Sequence, residues 1–135
     1  MTTFISHTTI DARNAYELCQ WWKQLLGYVD LEDDPNLPGH PECMIQRPDG
    51  GHQLLFLETP DEKTGKNRLH FDLRPTERNR VDEVAWALSI GAVLVEDHGD
   101  HYGPGVGWTV LADPEGNEFC ILRSLAEYAA TSAAL

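Results

Sequence analysis

Apolar and polar residues alternate with period two in several short stretches of this chain, and two of the intervals between them carry the three-to-four spacing of an amphipathic helix. The clearest alternation covers residues 66–75, where Leu69, Phe71 and Leu73 fall on one face and Arg68, His70 and Asp72 on the other. Such a strand is either an edge strand wetted on one side or the wall of a polar cavity; taken alone, ordinary amphipathic alternation explains it. Residues 4–11 alternate more weakly and set His7, Thr9 and Asp11 apart from Ser6, Thr8 and Ile10. From Asn14 to Gly27, the residues Ala15, Leu18, Trp22, Leu25 and Leu26 keep helical spacing, with Asn14 suited to the N-cap, Glu17 to a capping box and Gly27 to the C-terminal stop. A second helix is predicted from Thr76 to Gly91, with Val81, Val84, Ala85 and Leu88 as its apolar stripe.

Shorter strands are predicted over residues 28–32, 42–47 and 53–58, the last two joined through Pro48-Asp49-Gly50-Gly51. In the third of these, Leu55 and Leu57 are expected to face the core, and Leu54, Phe56 and Glu58 the opposite side. Residues 92–96, 108–112 and 118–123 repeat that series around Asp113-Pro114-Glu115-Gly116-Asn117. Residues 33–41 and 97–107 read as loops, the second glycine-rich and suited to a lid. Residues 125–135 form an alanine-rich tail, either a terminal helix or a frayed end.

These elements repeat. Twenty residues separate His7 from Gly27 and twenty-one separate His70 from Gly91, and each half then reaches a Pro-acid-Gly turn. The chain reads as one module of about 60 residues used twice. The predicted architecture is α+β: strand, helix and three strands, in residues of about 4–60 and again 66–124. Both modules belong to one domain, residues 1–124, with each helix on one face of its sheet and the polar faces free to meet across a cavity.

A length of 135 residues and a hydrophobic content of 41% suit a single domain with one proper core. Twenty-two acidic against ten basic residues give a formal charge of −12, which argues against nucleic acid and anionic membranes as partners. Three cysteines, with neither a signal peptide nor a long apolar run, predict reduced thiols and a cytoplasmic location. Cys19 and Cys43 are expected in the core.

The paired modules, the strand Leu69-His70-Phe71-Asp72-Leu73 and the turn Ala112-Asp113-Pro114-Glu115-Gly116-Asn117-Glu118-Phe119 resemble the vicinal oxygen chelate superfamily, in particular its glyoxalase-like and bleomycin-resistance-like members. The resemblance spans about residues 4–124. It implies a cup-shaped mixed sheet with helices on the outer face, a homodimer and a small-molecule ligand or substrate. In metal-dependent members a divalent ion is held by a residue early in the first strand, one opening the second module, a glutamate in the final strand and, in glyoxalases, a fourth in the first module's last strand. His7 and His70 match the first two positions. The glutamate normally stands four residues after the turn glycine, where this chain has Cys120, and Glu118 lies two residues away on the same face. Phe56 occupies the fourth position, with Glu58 one step further.

Two functional classes follow. In one, a metal-free cup binds a small organic molecule, with Arg68, Asp72, Phe56, Trp108 and Cys120 as lining residues and no cofactor; Arg68 could hold an anion or merely pair with Asp72. In the other, His7 and His70 ligate zinc, iron, nickel or manganese with Cys120 or Glu58, and the protein is a lyase or dioxygenase. Metal-free proton transfer by His7 or His70 against Glu58 is a third possibility. The half-matched ligand pattern favours the metal-free cup. His98 and His101, in the glycine-rich loop, are expected to be solvated.

Overall fold

A computed structural model describes residues 2–133. The chain divides into two compact units, Met1–Glu62 and Lys63–Leu135. Unit 1 contains β1 (Thr8–Ala12), α1 (Ala15–Leu26), β2 (Val29–Asp30), β3 (Glu42–Gln46) and β4 (Gln53–Glu58). Unit 2 contains β5 (Phe71–Leu73), α2 (Arg80–Ser89), β6 (Val93–His98), β7 (Trp108–Ala112), β8 (Glu118–Ile121) and α3 (Leu125–Ala133). The sheets have matching orders, β1-β4-β3-β2 and β5-β8-β7-β6. In both, the first strand runs parallel to the last and the other pairs are antiparallel. The two-module α+β reading therefore holds at the level of topology.

In unit 1 the helix begins where the Asn14 side chain accepts from the Glu17 amide at 3.0 Å and stops at Gly27, whose φ of 71° is left-handed. Its buried face, Ala15, Leu18, Cys19, Trp22 and Leu25, packs on β3 and β4. Those strands answer with Cys43, Ile45, Leu54 and Phe56, all at 0% exposure. This reverses the expected orientation of β4: Leu54 and Phe56 face the helix, and Leu55 and Leu57 face away. Alternation alone fixes which residues share a face but not which face a helix will cover. The loop after β2 is pinned by the buried Asn36, whose amide donates to Asp30 Oδ1 and to the Met44 carbonyl, both at 2.8 Å.

Unit 2 follows the pattern with shorter elements. The strand expected over residues 66–75 contracts to Phe71–Leu73, with Arg68 and Leu69 exposed in an irregular approach. Likewise β1 starts at Thr8, leaving Phe4 and Ile5 exposed. Helix α2 starts at Arg80, capped by the Asn79 side chain on the Asp82 amide at 2.8 Å. It buries Arg80 and Ala87, which lie on one face, while Val81 and Leu88, one position round, stay 60% and 39% exposed. The tail forms α3, the terminal helix of its two expected forms, which makes three helices among the described residues. Glu127 accepts from the Ser124 amide at 3.0 Å while Ser124 Oγ accepts from the Glu127 amide at 3.1 Å, closing a capping box. The same carboxylate accepts from the Arg80 amide at 2.6 Å and so ties α3 to the start of α2. In the turn after β7, the buried Asp113 carboxylate accepts from the Glu115 and Asn117 amides and from Asn117 Nδ2, each at 2.9 Å.

Candidate functional site

Parallel pairing of β5 with β8 sets Asp72 opposite Cys120, and antiparallel pairing of β8 with β7 sets Cys120 opposite Val110. Phe119, Ile121, Leu111 and Thr109 occupy the other, buried face. His70 therefore shares the open face with Asp72, Glu118 and Cys120, and Trp108 shares it two residues before Val110.

Three of these side chains converge. One donor atom each from His70, Asp72 and Cys120 lie within 4.8 Å of one another. His70 Nε2 is 3.3 Å from Asp72 Oδ1, with both side chains about half exposed, whereas Cys120 is only 6% exposed. Burial, reinforced by the Asp72 carboxylate beside it and by the thiol's hydrogen bond to that carboxylate, pushes the Cys120 thiol up to about 11. Asp72 thus stands between a histidine and a protonated thiol. No ion pair between Arg68 and Asp72 is found among the described residues; the side chain that approaches Asp72 is His70.

The remaining expected residues are placed elsewhere. Phe56 lies on the helix-covered face of the unit 1 sheet, and Glu58, on the same side at the exposed end of β4, follows it. Phe56 is thus core, a correction that follows from the reversed orientation of β4. His7 immediately precedes β1, half-buried, with Nδ1 3.0 Å from Ser6 Oγ. Glu118 is held by Lys66 at 2.6 Å. Trp108 stands in an aromatic cluster: His98 stacks on it at 4.8 Å between centroids, and His101 and Tyr102 approach it at 5.0 and 5.9 Å. Of the two histidines expected to be solvated, His101 is exposed and His98, the last residue of β6, is partly buried; both belong to this cluster. Sequence reading missed it, although the His98 to Trp108 pairing of β6 with β7 could have been drawn from a hairpin in that register.

A divalent ion, which the resemblance implies, can be tested against these groups. Imidazole, carboxylate and thiolate within 4.8 Å suit zinc in type and number. The position of the superfamily's glutamate is a buried thiol, and a cation would have to displace its proton. No helix of the described residues is long and apolar enough to cross a membrane.

Comparison with known proteins accords with this architecture. No curated protein sequence is significantly similar to the chain. Among solved structures, a glyoxalase/bleomycin resistance protein/dioxygenase family enzyme from Burkholderia phytofirmans PsJN is similar at 22% identity, with 86% of this chain and 94% of that chain covered and a TM-score of 0.64. A mutant of the fosfomycin resistance protein FosX from Listeria monocytogenes, complexed with Mn(II) and 1S,2S-dihydroxypropylphosphonic acid, is similar at 11% identity over 94% of this chain and 95% of that one, with a TM-score of 0.65. At these identities the likeness is one of fold. The glyoxalase-like domain model matches residues 7–122, from the histidine before β1 to the end of the last sheet, and the chain therefore belongs to the glyoxalase-like domain family of the vicinal oxygen chelate superfamily.

Proposed function

We propose that the protein binds a small organic molecule on the open face of the unit 2 sheet, through His70, Asp72 and Cys120, without a metal ion. The observation that carries this reading is the clustering at Asp72, whose carboxylate lies 3.3 Å from His70 Nε2 and within 4.8 Å of the buried Cys120 thiol. A buried thiol and a half-exposed histidine and carboxylate offer a ligand both donors and acceptors. The two other carboxylates considered as stand-ins are engaged or misplaced: Glu118 is paired with Lys66, and Glu58 lies on the helix side of its sheet. A thermal-shift screen of small organic molecules in EDTA tests the proposal. Hits that stabilise the wild type and lose that effect in Asp72→Asn and Cys120→Ala support it; hits that appear only when a divalent metal replaces the EDTA contradict it.

The alternative, a metal-dependent lyase or dioxygenase, draws on the same cluster, whose three donor atoms lie within 4.8 Å, and on the Mn(II)-bound FosX neighbour. In that case His70, Asp72 and Cys120 would hold the ion, which when bound would supply Lewis-acid polarisation of a substrate oxygen. The chain's own contribution would then be to orient substrate on the open face. Homodimerisation is also proposed, because β6 is an edge strand whose Val93, Leu94 and Val95 are 59%, 50% and 48% exposed. Sedimentation at micromolar concentration is expected to give a dimer that Leu94→Lys weakens, and a monomeric wild type would count against it.

A further inference from the structure

We propose that the open face of the unit 2 sheet is selective for a planar aromatic ligand, neutral or cationic, that stacks on the Trp108 cluster with its polar end at Asp72 and Cys120. The inference rests on the small-molecule reading above and names the class of molecule. Trp108 and Cys120 share one face of adjacent strands: Val110 is paired with Cys120, and Trp108 lies two residues before it, roughly 7 Å along the strand. A bicyclic ring system laid against the tryptophan would therefore reach the Asp72 row with one substituent.

The wall beside Trp108 is aromatic on several sides. His98 lies nearly parallel to the indole at 27°, while His101 and Tyr102 meet each other edge to face at 4.5 Å and both tilt towards it. Tyr102 is 69% exposed, so this large apolar side chain is presented to solvent and not buried in the core. Offset and edge-to-face contacts of this kind favour a flat π-system over an aliphatic one of similar size.

The loop presenting these rings is held in place along its length. At its base the Gly99 amide donates to Asp97 Oδ1 at 2.9 Å, and the buried Arg80 guanidinium reaches both Thr109 Oγ1 and, at 3.6 Å, the same Asp97 oxygen. Within it, the Tyr102 amide donates to the Val106 carbonyl at 2.9 Å and the Gly105 amide to Asp100 Oδ1 at 2.7 Å. Gly107 packs its α-carbon so tightly on the His98 carbonyl that any side chain would collide with backbone. Rings on a braced loop lose little freedom when a ligand arrives, which favours binding over collapse.

Charge selects among flat molecules. None of the four strands contains a lysine or arginine, and of their open-face carboxylates Asp72, Glu96 and Glu118 the last is paired with Lys66, which leaves Asp72 and Glu96 to set the charge. Glu96 lies 3.1 Å from His98 Nε2, directly beside the aromatic wall. Aromatic faces and carboxylates together attract a cation and repel an anion.

Calorimetry with four probes tests this: N-methylquinolinium, quinoline, 1-naphthoate and the saturated cation N,N-dimethylpiperidinium. The two quinoline probes are expected to bind at least about tenfold more tightly than the other two, a difference of about 1.4 kcal/mol. Trp108→Ala should weaken N-methylquinolinium by about tenfold and Trp108→Phe by less than about threefold, with Trp86→Phe, on α2, as the neutral control. If Trp108→Ala does not fold, Tyr102→Ala reads the same wall. Equal binding of the piperidinium, preferential binding of the naphthoate through Arg68, indifference to both wall variants, or no binding of any probe would overturn the inference. Asp72→Asn separates the two claims. Loss of binding in the wall variants but not in Asp72→Asn would sink the polar centre and keep the aromatic wall; the reverse pattern would sink the wall alone.

Discussion

Helix α1 buries Ala15, Leu18, Cys19, Trp21, Trp22 and Leu25, whereas α2, at the same place in unit 2, buries only Arg80 and Ala87. The strands differ less than their helices, and mainly at the edge. The inner strands are buried in both units, Cys43, Ile45, Leu54 and Phe56 in β3 and β4 and Leu111, Phe119 and Ile121 in β7 and β8, but the edge strand β6 of unit 2 exposes Val93, Leu94 and Val95. Two units with one topology thus divide their roles, the first concentrating hydrophobic burial and the second presenting polar and aromatic groups. Repetition of a fold constrains strand order far more tightly than it constrains what each copy buries.

The contrast is broken most directly in the core of unit 1. Phe56→Ala should cost about 3–5 kcal/mol in urea unfolding, because it removes a fully buried ring beneath α1. A loss below about 1 kcal/mol would mean that unit 1 is not the packed centre.

Unit 1 also owns the two fully buried thiols. Burial above all, and then the neighbouring Cys43, holds the Cys19 thiol up at about 12 against an ordinary 9.0, and burial raises Cys43 as well. Both are protonated in the folded protein at a pH where the unfolded chain would already have ionised them. Their contribution to stability is therefore complete below pH 9.0 and is lost as pH rises towards about 12. Urea midpoints at pH 8 and 10.5 should fall further in the wild type than in Cys19→Ala/Cys43→Ala. Equal falls in both proteins would remove the thiols from the account.

The smallest effect is expected in unit 2. Val81→Ser, on the 60% exposed side of α2, should change stability by less than about 0.5 kcal/mol. A cost above about 1.5 kcal/mol would show that this face is covered in solution and would sharpen the dimer proposal.

Much of this fold was legible in the sequence because repetition supplied a second reading of every element except α3. Asn14, Gly27 and the Asp113 turn act locally, through capping, left-handed backbone and amide hydrogen bonds, so sequence spacing exposed them. The facing of β4 was not legible, since Leu54-Leu55-Phe56-Leu57 is apolar on both faces and only the position of α1 decides between them. Of the site, the strand pattern and the turn spacing single out His70, Asp72 and Cys120, but the approach of His70 and not Arg68 to Asp72 depends on where β5 begins. Strand ends are set by pairing with β8, which no single-strand pattern contains. The aromatic wall combines β6, β7 and the loop between them, and its cohesion depends on Arg80 reaching across from α2.

The metal content of untagged protein purified from cells supplied with zinc, iron, nickel and manganese tests the central claim most directly, because the clustered His70, Asp72 and Cys120 groups serve either a metal-free ligand site or a metal centre. Well under one equivalent of any metal is expected, about a tenth or less per chain, with the same ligand response before and after EDTA. One tightly held equivalent that disappears in Cys120→Ala would contradict it and make the protein a metal-dependent member of its family.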